Sequence, residues 1–160
     1  ESPRRSENFV TRKISASAAR IACGTDEVLE LGNLDAERDW GYAPEYVEAM
    51  WAMLQQSEPN DYVLATGSRT SVRDFARCAF RAVGLELEFS GNGIDEHAVD
   101  AASGRIVLRV NPSYFRPIDA AGLIGDASKA ESALGFKPKT IGGAVAELMA
   151  KADFEALSES

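Results

Sequence analysis

Apolar residues recur at three- and four-residue intervals early in the chain, at Val10, Ile14, Ala18 and Ile21, with mostly polar residues between them and Gly24 beyond. That spacing predicts an amphipathic helix closed by a residue able to take a left-handed conformation. Val28-Leu29-Glu30-Leu31 is a short apolar run stopped by Gly32-Asn33, which predicts a strand, and the charged stretch from Leu34 to Gly41 predicts a loop. Pro44 suits the first turn of a second helix, whose inner face is expected to carry Val47, Met50, Trp51 and Leu54 before Pro59-Asn60-Asp61 breaks it. Tyr62-Val63-Leu64-Ala65, followed by Thr66-Gly67, predicts a short buried strand and a turn.

A third helix is predicted from Ser71, with Asp74 completing a short-armed capping box and Val72, Phe75, Ala79, Phe80 and Val83 facing inward. After Gly84 the period changes: Leu85, Leu87 and Phe89 alternate with Glu86 and Glu88, as expected of a strand with one wet face. A polar stretch from Ser90 to Gly104 precedes another expected strand at Ile106, Leu108 and Val110. Gly135 is placed to close a short helix from about Asp126. Thr140 is placed to cap a last one with Val145, Leu148, Met149 and Ala152 inside, and the tail from Leu157 is expected to fray. Alternating helices and strands make the fold class α/β, but the strands are few and short for a self-contained doubly wound sheet. No strand is followed by GxGxxG, no GxxxxGK[ST] occurs, and Gly91-Asn92-Gly93 lacks the context of either.

Composition adds limits. With 160 residues, 45% hydrophobic and 26% charged, the chain is ordinary globular material and large enough for one domain with a real core. A formal charge of −8 argues against binding nucleic acid backbones or anionic membranes, while leaving room for a local site for one small anion. No apolar run approaches the roughly 20 residues of a membrane helix, and the first residues are unlike a signal peptide, so a cytoplasmic protein is expected. Cys23 and Cys78 read as reduced packing thiols, and with one histidine they cannot complete a usual zinc set. His97 has no nucleophile motif around it.

Candidate chemistry lies in the arginines beside turns: Arg4-Arg5 after Pro3, Arg38 in the loop before the second helix, and Arg116 between Tyr114-Phe115 and Pro117. A planar guanidinium can grip a diphosphate through two parallel N–H···O bonds. Taken singly, each reads first as a solvated surface group, Lys13 reads as a surface lysine, and Trp40 and Tyr114 read first as core aromatics, with stacking on a base or sugar as the alternative.

Several stretches together closely resemble one family. They are Glu1-Ser-Pro-Arg-Arg-Ser-Glu-Asn-Phe-Val-Thr-Arg-Lys-Ile14, Leu31-Gly-Asn-Leu-Asp-Ala-Glu-Arg-Asp-Trp-Gly41, Glu45-Tyr-Val-Glu-Ala-Met-Trp51, Tyr114-Phe-Arg-Pro117 and Gly125-Asp-Ala-Ser-Lys-Ala130. In order, from Glu1 to about Lys139, they resemble the C-terminal half of the GDP-mannose 4,6-dehydratases, members of the extended short-chain dehydrogenase/reductase superfamily. The resemblance implies a lyase that uses NADP to oxidise the sugar at C4, eliminate water across C5 and C6 and return the hydride to C6. It implies that Arg5 contacts NADP, that Lys13, Asn33, Arg38 and Arg116 hold GDP-mannose, and that Asp119, where the family has Glu, faces the guanine. Ser6, Tyr42 and Ile118 also depart from the family's residues.

The superfamily's catalytic Tyr-x-x-x-Lys is missing: none of Tyr42, Tyr46, Tyr62 and Tyr114 has Lys four residues later, and Thr25-Asp26-Glu27 imitates the dehydratase Thr-x-Glu without a partner tyrosine. The expectation is therefore that residues 1–160 are the substrate-binding portion, with elements that complete a Rossmann sheet, and that an N-terminal Rossmann half brings NADP and the catalytic groups. A homo-oligomer is implied by the resemblance. The alternatives are a non-catalytic nucleotide-sugar-binding or assembly module, and a related nucleotide-sugar epimerase or reductase.

Overall fold

The computed structural model describes residues 1–116 and 123–159. Eleven helices and strands follow one another among them: α1 (Val10–Ala22), β1 (Leu29–Leu31), β2 (Glu37–Arg38), α2 (Ala43–Met53), β3 (Thr70–Ser71), α3 (Val72–Ala82), β4 (Leu87–Ser90), β5 (His97–Asp100), β6 (Ile106–Val110), α4 (Ser128–Leu134) and α5 (Gly143–Ser158). The main sheet runs β1-β6-β5-β4, with β1 parallel to β6 and the other pairs antiparallel, and β2 and β3 form a separate antiparallel pair. The α/β class expected from the alternation is the one observed.

The core follows from the apolar stripes. Ile14, Ala18 and Ile21 of α1, Phe75, Ala76, Ala79 and Phe80 of α3, and Val145, Ala146, Met149 and Ala150 of α5 are buried together against Leu29, Leu31, Leu108 and Val110 of the sheet. The small residues let α1 and α3 both pack on α5, so most of the apolar area of the three helices leaves water in one cluster. Trp40 belongs to this core, edge-on to Phe75 with ring centroids 4.9 Å apart. Where α1 meets α5, the buried Asp153 accepts from Arg12 at 2.6 Å and from Ser15 at 2.7 Å. Burial pushes its carboxyl up, and the bonds from Ser15 and Arg12 oppose that shift.

Local signals held at several ends. Ser71 Oγ accepts from the Asp74 N–H at 3.0 Å to start α3, and Gly135 closes α4 at φ 69°. Others were overridden by packing. In α2, Val47, Met50, Trp51 and Leu54 are 60%, 54%, 66% and 82% exposed, the reverse of the expected inner face. The helix is held instead by Ala49, buried beside Ala130 and Phe136, by Tyr46 edge-on to Phe136, and by Glu45. Tyr62–Ala65 forms no strand, because no neighbouring strand among the described residues offers it a ladder.

Thr140 does not cap the last helix. Its N–H and hydroxyl donate to Glu45, and α5 starts later, at Gly143, and runs on to Ser158 instead of fraying from Leu157. Strand β5 falls inside the supposed polar stretch, its sequence disguised by His97 and Asp100; Ala98 points inward, and Asp100 turns its carboxylate onto the Ser103 N–H and hydroxyl. The strand expected from Leu85 starts at Leu87, and Val28 stays outside β1. Residues 34–41, read as a loop, contain β2. Cys23 caps α1 at the surface rather than packing, while Cys78 is half-buried.

Phe75 is fully buried between Trp40 and α5, so Phe75→Ala is expected to lower the unfolding free energy by about 3–5 kcal/mol in a denaturant titration.

Candidate functional site

A cleft of about 550 Å³ opens where the start of α1 meets the ends of β1 and β6, lined by Glu7, Asn8, Val10, Lys13, Glu30, Leu31, Gly32, Tyr114 and Arg116. Helix geometry brings Lys13 here, one turn beyond Val10 on the same face. Its ammonium donates to the Glu30 carbonyl oxygen at 2.7 Å and lies 4.7 Å from the centre of the Tyr114 ring. Tyr114 is 52% exposed, so of the two readings for this residue the core one fails and a ring face is open to a ligand.

Tyr114 and Arg116 arrive by a turn after β6. Asn111 donates its N–H to the Leu31 carbonyl at 2.8 Å, accepts the Tyr114 N–H on its own carbonyl at 2.9 Å, and caps the Ser113 N–H with its side-chain oxygen at 2.9 Å. The turn presses on β1's exit so closely that a Cβ at position 32 would collide with the Tyr114 carbonyl, which is why glycine stands there. Arg116 is exposed and makes no hydrogen bond or ion pair among the described residues. Beside it, Glu30 is the one acid facing Lys13 from β1; Asn111 and then Arg109 hold its carboxyl below the usual range, so it is ionised and occupied. The cleft thus offers an ammonium, a guanidinium and an aromatic face, a combination suited to an anionic group joined to a flat ring.

The structure gathers some predicted residues and separates others. Lys13 and Arg116 meet in this cleft, and Asn33 follows directly on Gly32, its side-chain oxygen accepting the Asp35 N–H at 2.9 Å. Arg38 is elsewhere, exposed on β2, with its guanidinium donating to the Glu37 carbonyl at 2.7 Å. Arg5 also lies off the cleft wall, stacked 3.4 Å over Phe9 and paired with Glu1 at 3.4 Å. Asp119 falls outside the described residues. Thr25-Asp26-Glu27 is structural: Asp26 pairs with Arg105, and Glu27 accepts from Arg20 and Ser17. Glu30, Gly32 and Asn111 were not foreseen as site residues. The Gly-Asn after the first strand and the Asn-Pro after the last were readable as turns, but not as turns in mutual contact.

A second cleft, of about 660 Å³, lies between α2 and residues 134–140, with Glu48, Lys137 and Lys139 on its walls. Two of its charged side chains are engaged: Glu45 accepts the backbone N–H groups of Lys139 and Thr140, and Lys137 pairs with Glu131 at 2.9 Å.

Solved structures define the class first. The structure of RMD from Pseudomonas aeruginosa complexed with NADPH matches 98% of this chain and 46% of that chain with a TM-score of 0.75 at 18% identity. That of dTDP-glucose 4,6-dehydratase from Bacillus anthracis in complex with NAD matches 99% and 43% with a TM-score of 0.69 at 12% identity. At such identities they show the fold, that of a part of these α/β enzymes. The sequence then fixes the family. A family model described as GDP-mannose 4,6 dehydratase matches residues 1–149, and the chain belongs to this family. The GDP-mannose 4,6-dehydratase of Sinorhizobium fredii is 56% identical over 88% of this chain and 40% of its own length. The Drosophila melanogaster enzyme of that name is 49% identical over 100% of this chain and 40% of its own length. The chain therefore spans about two-fifths of the length of the curated relatives it matches. Among the described residues no helix is long and apolar enough to cross a membrane.

Gly32→Ala is expected to push the Tyr114 turn away from β1. The collision with the Tyr114 carbonyl should lower the unfolding midpoint, read by differential scanning calorimetry.

Proposed function

We propose that this chain is the substrate-binding portion of a cytoplasmic, homo-oligomeric GDP-mannose 4,6-dehydratase, which converts GDP-mannose to GDP-4-keto-6-deoxymannose and water. One observation carries the reading: within the span matched by the family model, the fold sets Lys13, Tyr114 and Arg116 on one cleft. Two cations face the diphosphate, whose charge they neutralise in a chain that is otherwise acidic, and the fork of Arg116 can hold two phosphate oxygens at once. Tyr114 offers its ring to the nucleoside or sugar. The family resemblance assigns Arg38, which stands apart from this cleft on β2, to the same ligand together with Asn33 and Asp119.

NADP would supply the hydride acceptor for C4 and the hydride donor for C6. This chain fits only one edge of that cofactor: it has no glycine-rich loop and offers Arg5, an exposed guanidinium, to a phosphate. The neighbouring structures were solved with NADPH and with NAD, which supports a nicotinamide cofactor; the choice of NADP follows the family resemblance. Without a Tyr-x-x-x-Lys, the residues here bind and orient, and the proton and hydride chemistry belongs to an N-terminal Rossmann half.

The reversed stripe of α2 supports that second half. Val47, Met50, Trp51 and Leu54 stand at i, i+3, i+4 and i+7, a pattern that buries a helix face, yet all four are exposed here. Covered by the Rossmann half, the stripe and the unpaired Tyr62–Ala65 segment would both find partners. Leu54→Lys is therefore expected to lower the unfolding midpoint of the intact protein by several degrees, where a solvent-facing leucine would tolerate the change.

The decisive experiment incubates the intact protein with GDP-mannose and NADP and follows the 4-keto product. Arg116→Ala should weaken GDP-mannose binding by about 1.5–3 kcal/mol, as for a charged hydrogen bond. Product formed by residues 1–160 alone would overturn the division of labour. Indifference to GDP would favour a non-catalytic assembly module, and preference for UDP or dTDP a related epimerase or reductase.

A further inference from the structure

Glu30 is, with Glu7, one of two acids on a cleft that also carries Lys13 and Arg116, and its bonds show what it does there. Its main chain and side chain hold different parts of the site. The carbonyl accepts the Lys13 ammonium at 2.7 Å, fixing that cation beside Tyr114. The carboxylate reaches across the parallel β1–β6 pair, in which Glu30 stands opposite Arg109. One oxygen accepts the Arg109 Nε–H at 2.8 Å and the other accepts the Asn111 Nδ2–H at 2.8 Å. With its amide nitrogen held there, Asn111 has its side-chain oxygen turned to the Ser113 N–H and its carbonyl to the Tyr114 N–H. An Asn amide has two distinct ends, and Glu30, an acceptor only, dictates which end faces the strand and which caps the turn.

We propose that Glu30 is a positioning residue: through Asn111 it sets the turn that carries Tyr114 and Arg116, and so fixes the spacing between these groups and Lys13 on the opposite wall of the cleft. The proposal rests on the reading of this cleft as the GDP-mannose site. Both carboxylate oxygens are occupied, one by the Arg109 Nε–H and the other by the Asn111 amide, so neither is left to contact the ligand. Arg109 is the anchor's outer, more exposed partner, whereas Asn111 is the route to the ligand.

The test uses the intact protein and GDP-mannose, with Kd, KM, kcat and the unfolding midpoint measured for Glu30→Ala, Asn111→Ala, the double variant, Glu30→Gln and Arg109→Ala. A lost hydrogen bond that misplaces the turn should raise Kd and KM about fivefold in each of the first two, with kcat at saturation and the midpoint nearly unchanged. The double variant should lose no more than either single one, since both break the same link. Glu30→Gln should recover most of the affinity, because its amide oxygen still accepts from Asn111, and Arg109→Ala should stay within about twofold of the parent. The proposal is overturned if Glu30→Ala leaves Kd unchanged while the parent binds. It is also overturned if Arg109→Ala costs as much as Glu30→Ala, if the two singles add, or if the loss of affinity tracks a fall in the midpoint. A parent protein that does not bind GDP-mannose overturns the substrate reading itself, and this proposal with it.

Discussion

The parallel pairing of β1 with β6 is the constraint on which the rest of the cleft depends. Its register, Leu29 with Leu108, Glu30 with Arg109 and Leu31 with Val110, brings residues 79 positions apart in sequence to a common end. At that end the chain leaves β1 through Gly32-Asn33 and leaves β6 through Asn111–Tyr114, so two turns are forced against each other. Parallel strands cannot be joined by a tight hairpin, and the long crossover is filled by β2, α2, β3, α3, β4 and β5. A one-residue slip would turn Leu29 and Leu31 out of the core and Glu30 in, a cost far above any gain in the turns. The hydrophobic core thus fixes the register, and the register fixes which polar groups meet in the cleft.

The helical layer serves the same end. α1 is locked between α3 and α5 by small residues, leaving little freedom to slide along its axis. Lys13, near its start, is the point where the helix meets the Glu30 carbonyl. Arg12, the neighbouring residue, faces the other way, to Asp153 of α5. Adjacent basic residues on one helix point about 100° apart, so one ties the core while the other faces the cleft. Runs of charge in sequence therefore say little about which member acts until the helix phase is known.

This separates what was legible in the sequence from what was not. The stripes of α1, α3 and α5, the cap of α3 at Ser71 and the glycine end of α4 were readable because each depends on neighbours within a turn or two. β5 was hidden because its burial depends on pairing with β4 and β6 on either side, which lets a strand carry His97 and Asp100. Lys13 and Arg116 could be picked out by resemblance, but their meeting depends on the β1–β6 register, which no local pattern encodes. Glu30 was invisible for the same reason: as a wet-face residue of a short strand it resembles Glu86 and Glu88, and only Asn111, brought alongside by β6, distinguishes it.

The failed reading of α2 is of another kind. Its stripe obeys the helical period that served for α1 and α3, and the helix forms where expected; only the identity of the buried face is reversed. Three local anchors explain the orientation: Glu45 holds the Lys139 and Thr140 N–H groups, Tyr46 meets Phe136 and Ala49 sinks beside Ala130. They fix one face of α2 to this chain so firmly that the more apolar face must point away. Hydrophobic periodicity reports that a face wants covering, and it is silent on which part of a protein does the covering. In a chain that spans about two-fifths of its relatives' length, a correctly patterned helix facing outward is what the physics of burial requires if the remaining length packs there.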